Sequence, residues 1–222
     1  MGKGLFVTAT GTDIGKTYVS ALIVKKLREH GYKAGYYKAA LSGADSIEKS
    51  DAGYVKRISG TDQPDNTLLS YLYPQAVSPH LAAKLENRAV SMENIVRAYS
   101  GVSALYDYVT VEGSGGIVCP LRWDAKEKIL LEDVIQAFGI PALIVADPGL
   151  GTINAAVLTA EYMKNRKIDI KGFILNNYAG GRMQEDNAEM IEALTGISVI
   201  ARIKHGAGDL EMRGDILAGL YG

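Results

Sequence analysis

The segment Ala9-Thr10-Gly11-Thr12-Asp13-Ile14-Gly15-Lys16-Thr17 constrains this 222-residue chain more than any other. An apolar run, Leu5 to Thr8, leads into it. Lys16 to His30 follows, with Val19, Leu22, Ile23 and Leu27 on one side and a stop at Gly31. Strand, glycine loop and helix in that order predict a phosphate-binding turn, because the loop's N–H groups and the helix start can surround phosphate oxygens. Lys16, expected to face solvent, would reach the β- and γ-phosphates of ATP, and the Thr17 hydroxyl would ligate Mg²⁺. Asp13, Ile14, Gly15 and Tyr18 complete the expected ATP-binding stretch. The strict pattern has glycine where Thr10 stands. The alternative is a plain strand-to-helix turn that contains Gly-Lys-Thr.

Similar apolar runs recur at Gly35 to Tyr37, Tyr108 to Val111, Ala142 to Ala146, Gly172 to Leu175 and Val199 to Ile203. Near-continuous apolar runs of this length fit parallel strands covered on both faces. Thr152 to Arg166 and Arg182 to Leu194 have helical periodicity, the second with Met183, Met190, Ile191 and Leu194 on one stripe. The alternation predicts an α/β fold, a doubly wound, mostly parallel sheet with helices on both faces, like P-loop NTPases. It is read as a single domain over residues 1–222, with polar Ser59 to Asn66 as a surface excursion. A formal net charge of -1 gives no basic stripe for nucleic acid. No apolar run reaches the roughly 18 residues of a membrane span. The first strand begins too early for a cleavable signal, and one cysteine, Cys119, forms no internal disulfide. A cytoplasmic protein is expected, with Cys119, Trp123 and Tyr162 as packing residues.

A second acid follows a strand. Val109-Thr110-Val111 ends in Glu112-Gly113-Ser114-Gly115-Gly116, where a carboxylate at a strand tip can hold Mg²⁺ and glycines admit a ligand closely. Ile174-Leu175 leads into Asn176-Asn177, whose amides can pair with an adenine edge or form a turn. Lys38 by itself reads as a solvated strand-end residue. His80 has no catalytic role, and His30 and His205 form no metal cluster with it.

Several ordered segments together resemble the dethiobiotin synthetase family: the loop from Ala9 to Thr17, Lys38 with Ser42-Gly43, Ser50-Asp51 before a helix, and Ser78-Pro79-His80. Val111 to Gly116 with Pro120, and Leu150-Gly151-Thr152-Ile153-Asn154 before a helix, continue the series. The chain departs from the family pattern at Gly11, usually Asp; at Ala39, commonly Pro; and at Lys204, where proline is expected.

The resemblance implies a ligase that uses ATP, CO₂ and 7,8-diaminononanoate, through a carbamate and a carbamic–phosphoric anhydride. It implies Lys38, Lys16 and Thr12 as catalytic residues, Thr12, Lys38 and Ser42 at the substrate, and Mg²⁺ on Thr17, Asp51 and Glu112. ATP would also touch Gly113, Ser114, Gly115 and the adenine-side loop Lys204, His205 and Gly206. Gly151, Thr152, Ile153 and Asn154 would bind the substrate carboxylate across a homodimer. A nucleotide-switched ATPase of the ParA/MinD type is the alternative, but its early loop lysine is Gly11 here. A cobyrinate-type amidoligase would need a glutaminase domain.

Overall fold

Strand β1 (Lys3–Ala9) runs through the centre of the computed structural model, which describes residues 2–222. Leu5 and Val7 point to one side of it and Phe6 to the other, and all three are buried. Helix α1 (Lys16–Glu29) carries the chain to β2 (Ala34–Ser42), and α2 (Asp51–Ser59) leads toward β3 (Leu69–Tyr73). After α3 (Pro79–Leu85) and α4 (Met92–Leu105), β4 (Tyr108–Glu112) returns between β2 and β1. A small antiparallel hairpin follows, β5 (Pro120–Trp123) with β6 (Lys128–Leu130), and then α5 (Leu131–Phe138). Three βα units finish the chain: β7 (Ala142–Ala146), α6 (Thr152–Asn165), β8 (Ile170–Asn176), α7 (Arg182–Thr195), β9 (Val199–Ile203) and α8 (Gly214–Ala218).

The main sheet has the order β3-β2-β4-β1-β7-β8-β9, and every pairing is parallel. Helices α1, α2 and α8 cover the face of Leu5, Val7, Leu143 and Val145, while α3 to α7 cover the face of Phe6, Val109, Ile144 and Phe173. Each fully buried Leu, Ile or Phe contributes roughly 1.5–3 kcal/mol, so two apolar layers hold the sheet from both sides. The expected doubly wound α/β architecture is present. Among the described residues no helix is long and apolar enough to cross a membrane.

Three local expectations need correction. Ser59 to Asn66 is not simply a surface excursion: the Gln63 side chain is fully buried and grips the Tyr36 backbone, donating to its carbonyl and accepting from its N–H, both at 2.8 Å. β3 pairs with β2 only from Lys38 onward, so at Tyr36 an amide side chain stands where a neighbouring strand would be. The α7 stripe is turned away from the core. Met183, Met190 and Leu194 are exposed, whereas Asn187, Ala188, Ile191 and Thr195 are buried. Asn187 sets that rotation by donating to Pro148 O at 2.9 Å. Trp123 is 47% exposed, under the Lys128 ammonium rather than in the core.

Candidate functional site

The carboxyl ends of β1, β2 and β4 meet where β4 enters between the other two strands. Lys38 lies opposite Glu112 in the β2–β4 register, and Val7 lies opposite Glu112 across β1–β4. Side chains alternate along strands, so Tyr36 and Lys38 share a face with Thr110 and Glu112, the face that α1 and α2 cover. Asp51 arrives on the first turn of α2, whose start Ser50 caps by accepting from Gly53 N at 3.4 Å.

These placements assemble a buried charge cluster. Lys38, 3% exposed, donates to Asp51 Oδ2 at 2.5 Å and to Glu112 Oε1 at 2.6 Å. Glu112, 1% exposed, also accepts from Thr17 Oγ1 at 2.8 Å on Oε1 and from Tyr36 OH at 2.9 Å on Oε2. Lys38 is therefore not a solvated strand-end residue. Burial alone would lower its pKa, but the charges of Glu112 and Asp51 outweigh that and raise it, so the ammonium stays protonated. The Tyr36 phenol is shifted upward as well: burial, then the charges of Glu112 and Asp51, hold it well above the usual range.

The loop wraps its own lysine. Gly15 has φ 96° and Asp13 φ 60°, left-handed conformations that curl the segment before α1. Lys16 is not solvent-facing: it is 7% exposed, its Nζ donates to Gly11 O at 3.0 Å, and burial lowers its pKa. Asn176 supports the loop from β8 by donating to Ile14 O at 2.9 Å. A Cβ at Gly15 would lie 2.1 Å from Asn176 Nδ2, so the position has no room for a side chain. Thr12 faces outward, and a Cβ built at Gly115, where φ is 65°, would lie 3.8 Å from both Thr12 Oγ1 and Cys119 Sγ. Cys119 is buried, and burial pushes its thiol up to about 11, so it is no nucleophile at neutral pH.

The two base-side asparagines separate. Asn177 spends its amide on Asp147 Oδ2 and His205 Nδ1, each at 3.1 Å. Asn176 keeps a buried Oδ1 without a partner, which leaves it an acceptor for a ligand amine. Lys204, His205 and Gly206 are exposed, and the loop after them is tied to α1 through Tyr18 OH to Ala207 O and Lys25 to Gly208 O at 2.7 Å. Ser114 donates to Ala40 O at 2.6 Å and Ser42 to Val77 O at 2.5 Å, leaving both hydroxyls acceptor capacity. A Cβ at Gly113 would press within 2.9 Å of Phe6 and Leu131.

Gly151 to Asn154 stand apart. Among the described residues, none of these four hydrogen-bonds to the phosphate loop or to Lys38. Gly151 has φ 91° and Asn154 is exposed, whereas Thr152 is buried at the first position of α6 with an unpartnered Oγ1.

The oxygen donors near Lys38 suit a small hard cation. Thr17, Asp51 and Glu112 offer a hydroxyl and two carboxylates, the ligand chemistry of Mg²⁺ when phosphate oxygens and water fill the remaining positions. Among the described residues no set of three His, Cys, Asp or Glu side chains is grouped for a metal, so the nucleotide itself would have to supply ligands. Surface cavities also occur elsewhere. One of about 340 Å³ is lined by residues such as Lys3, Tyr106 and Asp107, at the amino ends of β1 and β4, away from all of this chemistry.

Sequence reasoning missed Tyr36 and Gln63. Tyr36 sits in an apolar-looking strand, and only its i, i+2 relation to Lys38 could have pointed to it.

Residues 3–207 match the family described as an AAA domain. An ATP-dependent dethiobiotin synthetase BioD of Brachyspira hyodysenteriae is 49% identical over 207 residues, 93% of this chain and 94% of the relative. One from Clostridium botulinum is 56% identical over 182 residues, 80% of each chain. Among solved structures, the MinC:MinD cell division protein complex of Aquifex aeolicus aligns with TM-score 0.58 at 19% identity, covering 91% of this chain and 81% of that one. A ParA family ATPase from Chlorobium tepidum aligns with TM-score 0.59 at 15% identity, covering 92% and 85%. At such identities the structural likeness shows the fold alone.

Proposed function

The chain belongs to the dethiobiotin synthetase family, and we propose that its residues carry out that reaction in the cleft between the phosphate loop and Lys38. The enzyme is an ATP-dependent cyclo-ligase: it joins 7,8-diaminononanoate and CO₂ into dethiobiotin, releasing ADP and phosphate. ParA and MinD share its fold only distantly. The observation that carries the assignment of roles is the buried Lys38 ammonium, bracketed by Asp51 and Glu112 beside Thr17.

One amine of the substrate takes up CO₂ and loses a proton, giving a carbamate. A carbamate oxygen then attacks the γ-phosphorus of ATP, and the bond to the β–γ bridging oxygen breaks as ADP leaves. The second amine attacks the carbonyl carbon of the mixed anhydride, sheds a proton and expels phosphate as the cyclic urea closes. Phosphoryl transfer of this kind asks for positioning and charge neutralisation more than for covalent help.

Lys16 inside the loop brings one positive charge to the phosphates. Lys38 brings another from the opposite strand, with two of its three N–H donors on carboxylates and the third free for the carbamate. Thr12 and Ser42 offer hydroxyls to the substrate. Thr17, Asp51 and Glu112 would hold Mg²⁺, which supplies charge neutralisation on the phosphate oxygens when bound. Asn176 receives the adenine amine on its free Oδ1, with Asn177 and Lys204 to Gly206 framing the base. The unpartnered Thr152 Oγ1 at the start of the 14-residue α6 supports a carboxylate-binding role for Gly151 to Asn154. Because that helix start makes no hydrogen bond to the loop among the described residues of one chain, the site is read as shared across a homodimer. Leu150, 95% exposed, and Leu158, 63% exposed, give that interface apolar surface. A monomer in sedimentation would end the shared-site reading. The chain is read as one catalytic domain that works in the cytoplasm.

The route is tested with ¹⁸O-labelled bicarbonate, mixed and quenched before its oxygens exchange with water. The released phosphate should carry one labelled oxygen, the atom that attacked phosphorus. Unlabelled phosphate would mean that water, not carbamate, takes the phosphoryl group.

A further inference from the structure

We propose that Tyr36 is a positioning residue for the cation-binding carboxylate, fixing Glu112 so that one oxygen alone faces the reacting groups. The inference rests on the reading of Glu112 as a metal ligand.

Glu112 has two oxygens with different company. Oε1 takes Thr17 Oγ1 at 2.8 Å and Lys38 Nζ at 2.6 Å. Oε2 takes only the Tyr36 hydroxyl, at 2.9 Å. A free carboxylate can rotate its two oxygens into one another's place, and either could then reach a cation. With Oε2 held from behind, the plane of the carboxylate is set and Oε1 is presented forward.

The tyrosine is itself tightly placed. Tyr36 and Lys38 are two residues apart on β2, about 6.7 Å along a strand, and point to the same face. Tyr36 lies beside Thr110 in the register and so reaches forward along the sheet to Glu112. Gln63 holds both its backbone N–H and its C=O, and the side chain is fully buried. The clamp satisfies a polar, fully buried glutamine in a stretch that otherwise reads as a loop, and it fixes the strand at the residue that fixes the carboxylate. The phenol has one hydrogen to give, and in this structure it goes to Glu112.

Tyr36→Phe keeps the ring and removes only the hydroxyl, so the fold should survive, which thermal unfolding checks. The measurement is equilibrium binding of ATP by calorimetry, with Mg²⁺ and again with EDTA, for wild type, Tyr36→Phe, Glu112→Gln and the double variant. A hydrogen bond to a charged group is lost, so Tyr36→Phe should weaken MgATP binding by about tenfold. Metal-free ATP should bind within about twofold of wild type, because the phosphate loop is untouched. In the Glu112→Gln background the tyrosine substitution should add nothing to the metal-dependent part. Equal losses with and without Mg²⁺, or no loss in a folded Tyr36→Phe protein, would overturn the positioning role. If Glu112→Gln itself leaves the Mg²⁺ dependence unchanged, the metal-ligand reading fails and the inference falls with it. If only Glu112→Gln changes it, that reading stands and the inference alone is lost.

Discussion

Lys38→Ala should lower turnover by about 10²–10³-fold, the scale seen when a single donor to developing negative charge is removed, and it should also weaken the fold. The two effects have one origin. The ammonium compensates Asp51 and Glu112, and Glu112 has a fully buried side chain. Breaking a buried pair by deleting one partner typically costs about 3–5 kcal/mol; Asp51, 45% exposed, can recover hydration, which puts the loss toward the lower end. Adding Mg²⁺ should raise the melting temperature of Lys38→Ala more than that of the wild type, since a cation that binds the folded state replaces the missing charge. The double variant Lys38→Ala/Glu112→Gln should recover much of the lost stability and none of the activity. A Lys38→Ala protein as stable as wild type, unaffected by Mg²⁺, would remove the charge-cluster explanation.

Lys16→Ala should cost a comparable factor in rate, about 10²–10³-fold, but with the opposite signature in stability. Lys16 is buried with a backbone carbonyl as its hydrogen-bond partner, and burial lowers its pKa. Removing it discards a charge that folding takes out of water without a directly paired carboxylate, so the variant should melt within a few degrees of wild type. The comparison therefore separates two lysines that are both proposed to serve the phosphates. One neutralises buried Glu112 and half-exposed Asp51 in the resting protein, and the other has no carboxylate partner. A Lys16→Ala enzyme with normal turnover would show that the loop does not bind the nucleotide phosphates.

Much of this was legible in the sequence because the sheet is parallel and buried on both faces. Leu5 to Thr8 and Ala142 to Ala146 are runs with nowhere to go but the interior, Val199 to Ile203 is apolar but for Arg202, and each lies in a strand. Val19, Leu22, Ile23 and Leu27 all lie buried on α1. What escaped was held by single side chains rather than by pattern. β3 is an edge strand with half-buried residues, and the β5–β6 hairpin is held partly by Arg122 reaching Asp124 and Glu127. Neither repeats a period long enough to read. The stripe Met183, Met190, Ile191 and Leu194 has good helical spacing, yet only Ile191 is buried, on the side where Asn187 bonds to Pro148 O. At the site, the motifs gave Thr17, Lys38, Asp51 and Glu112, and these form one hydrogen-bonded chain from Thr17 through Glu112 and Lys38 to Asp51. Periodicity carries no signal for the burial of Lys16, or for the way Tyr36 grips Glu112, because both depend on what neighbouring strands deliver to the same point.

ATP cleavage is coupled to closing a urea on a diamine. ADP release should be followed with Mg²⁺ and ATP, adding diaminononanoate and bicarbonate separately and together. Turnover should need both, because the carbamate that accepts the phosphoryl group exists only when amine and CO₂ are both present, and dethiobiotin should form in equal amount to ADP. Turnover at the same rate with the diamine omitted would contradict the account and favour a nucleotide-switch ATPase.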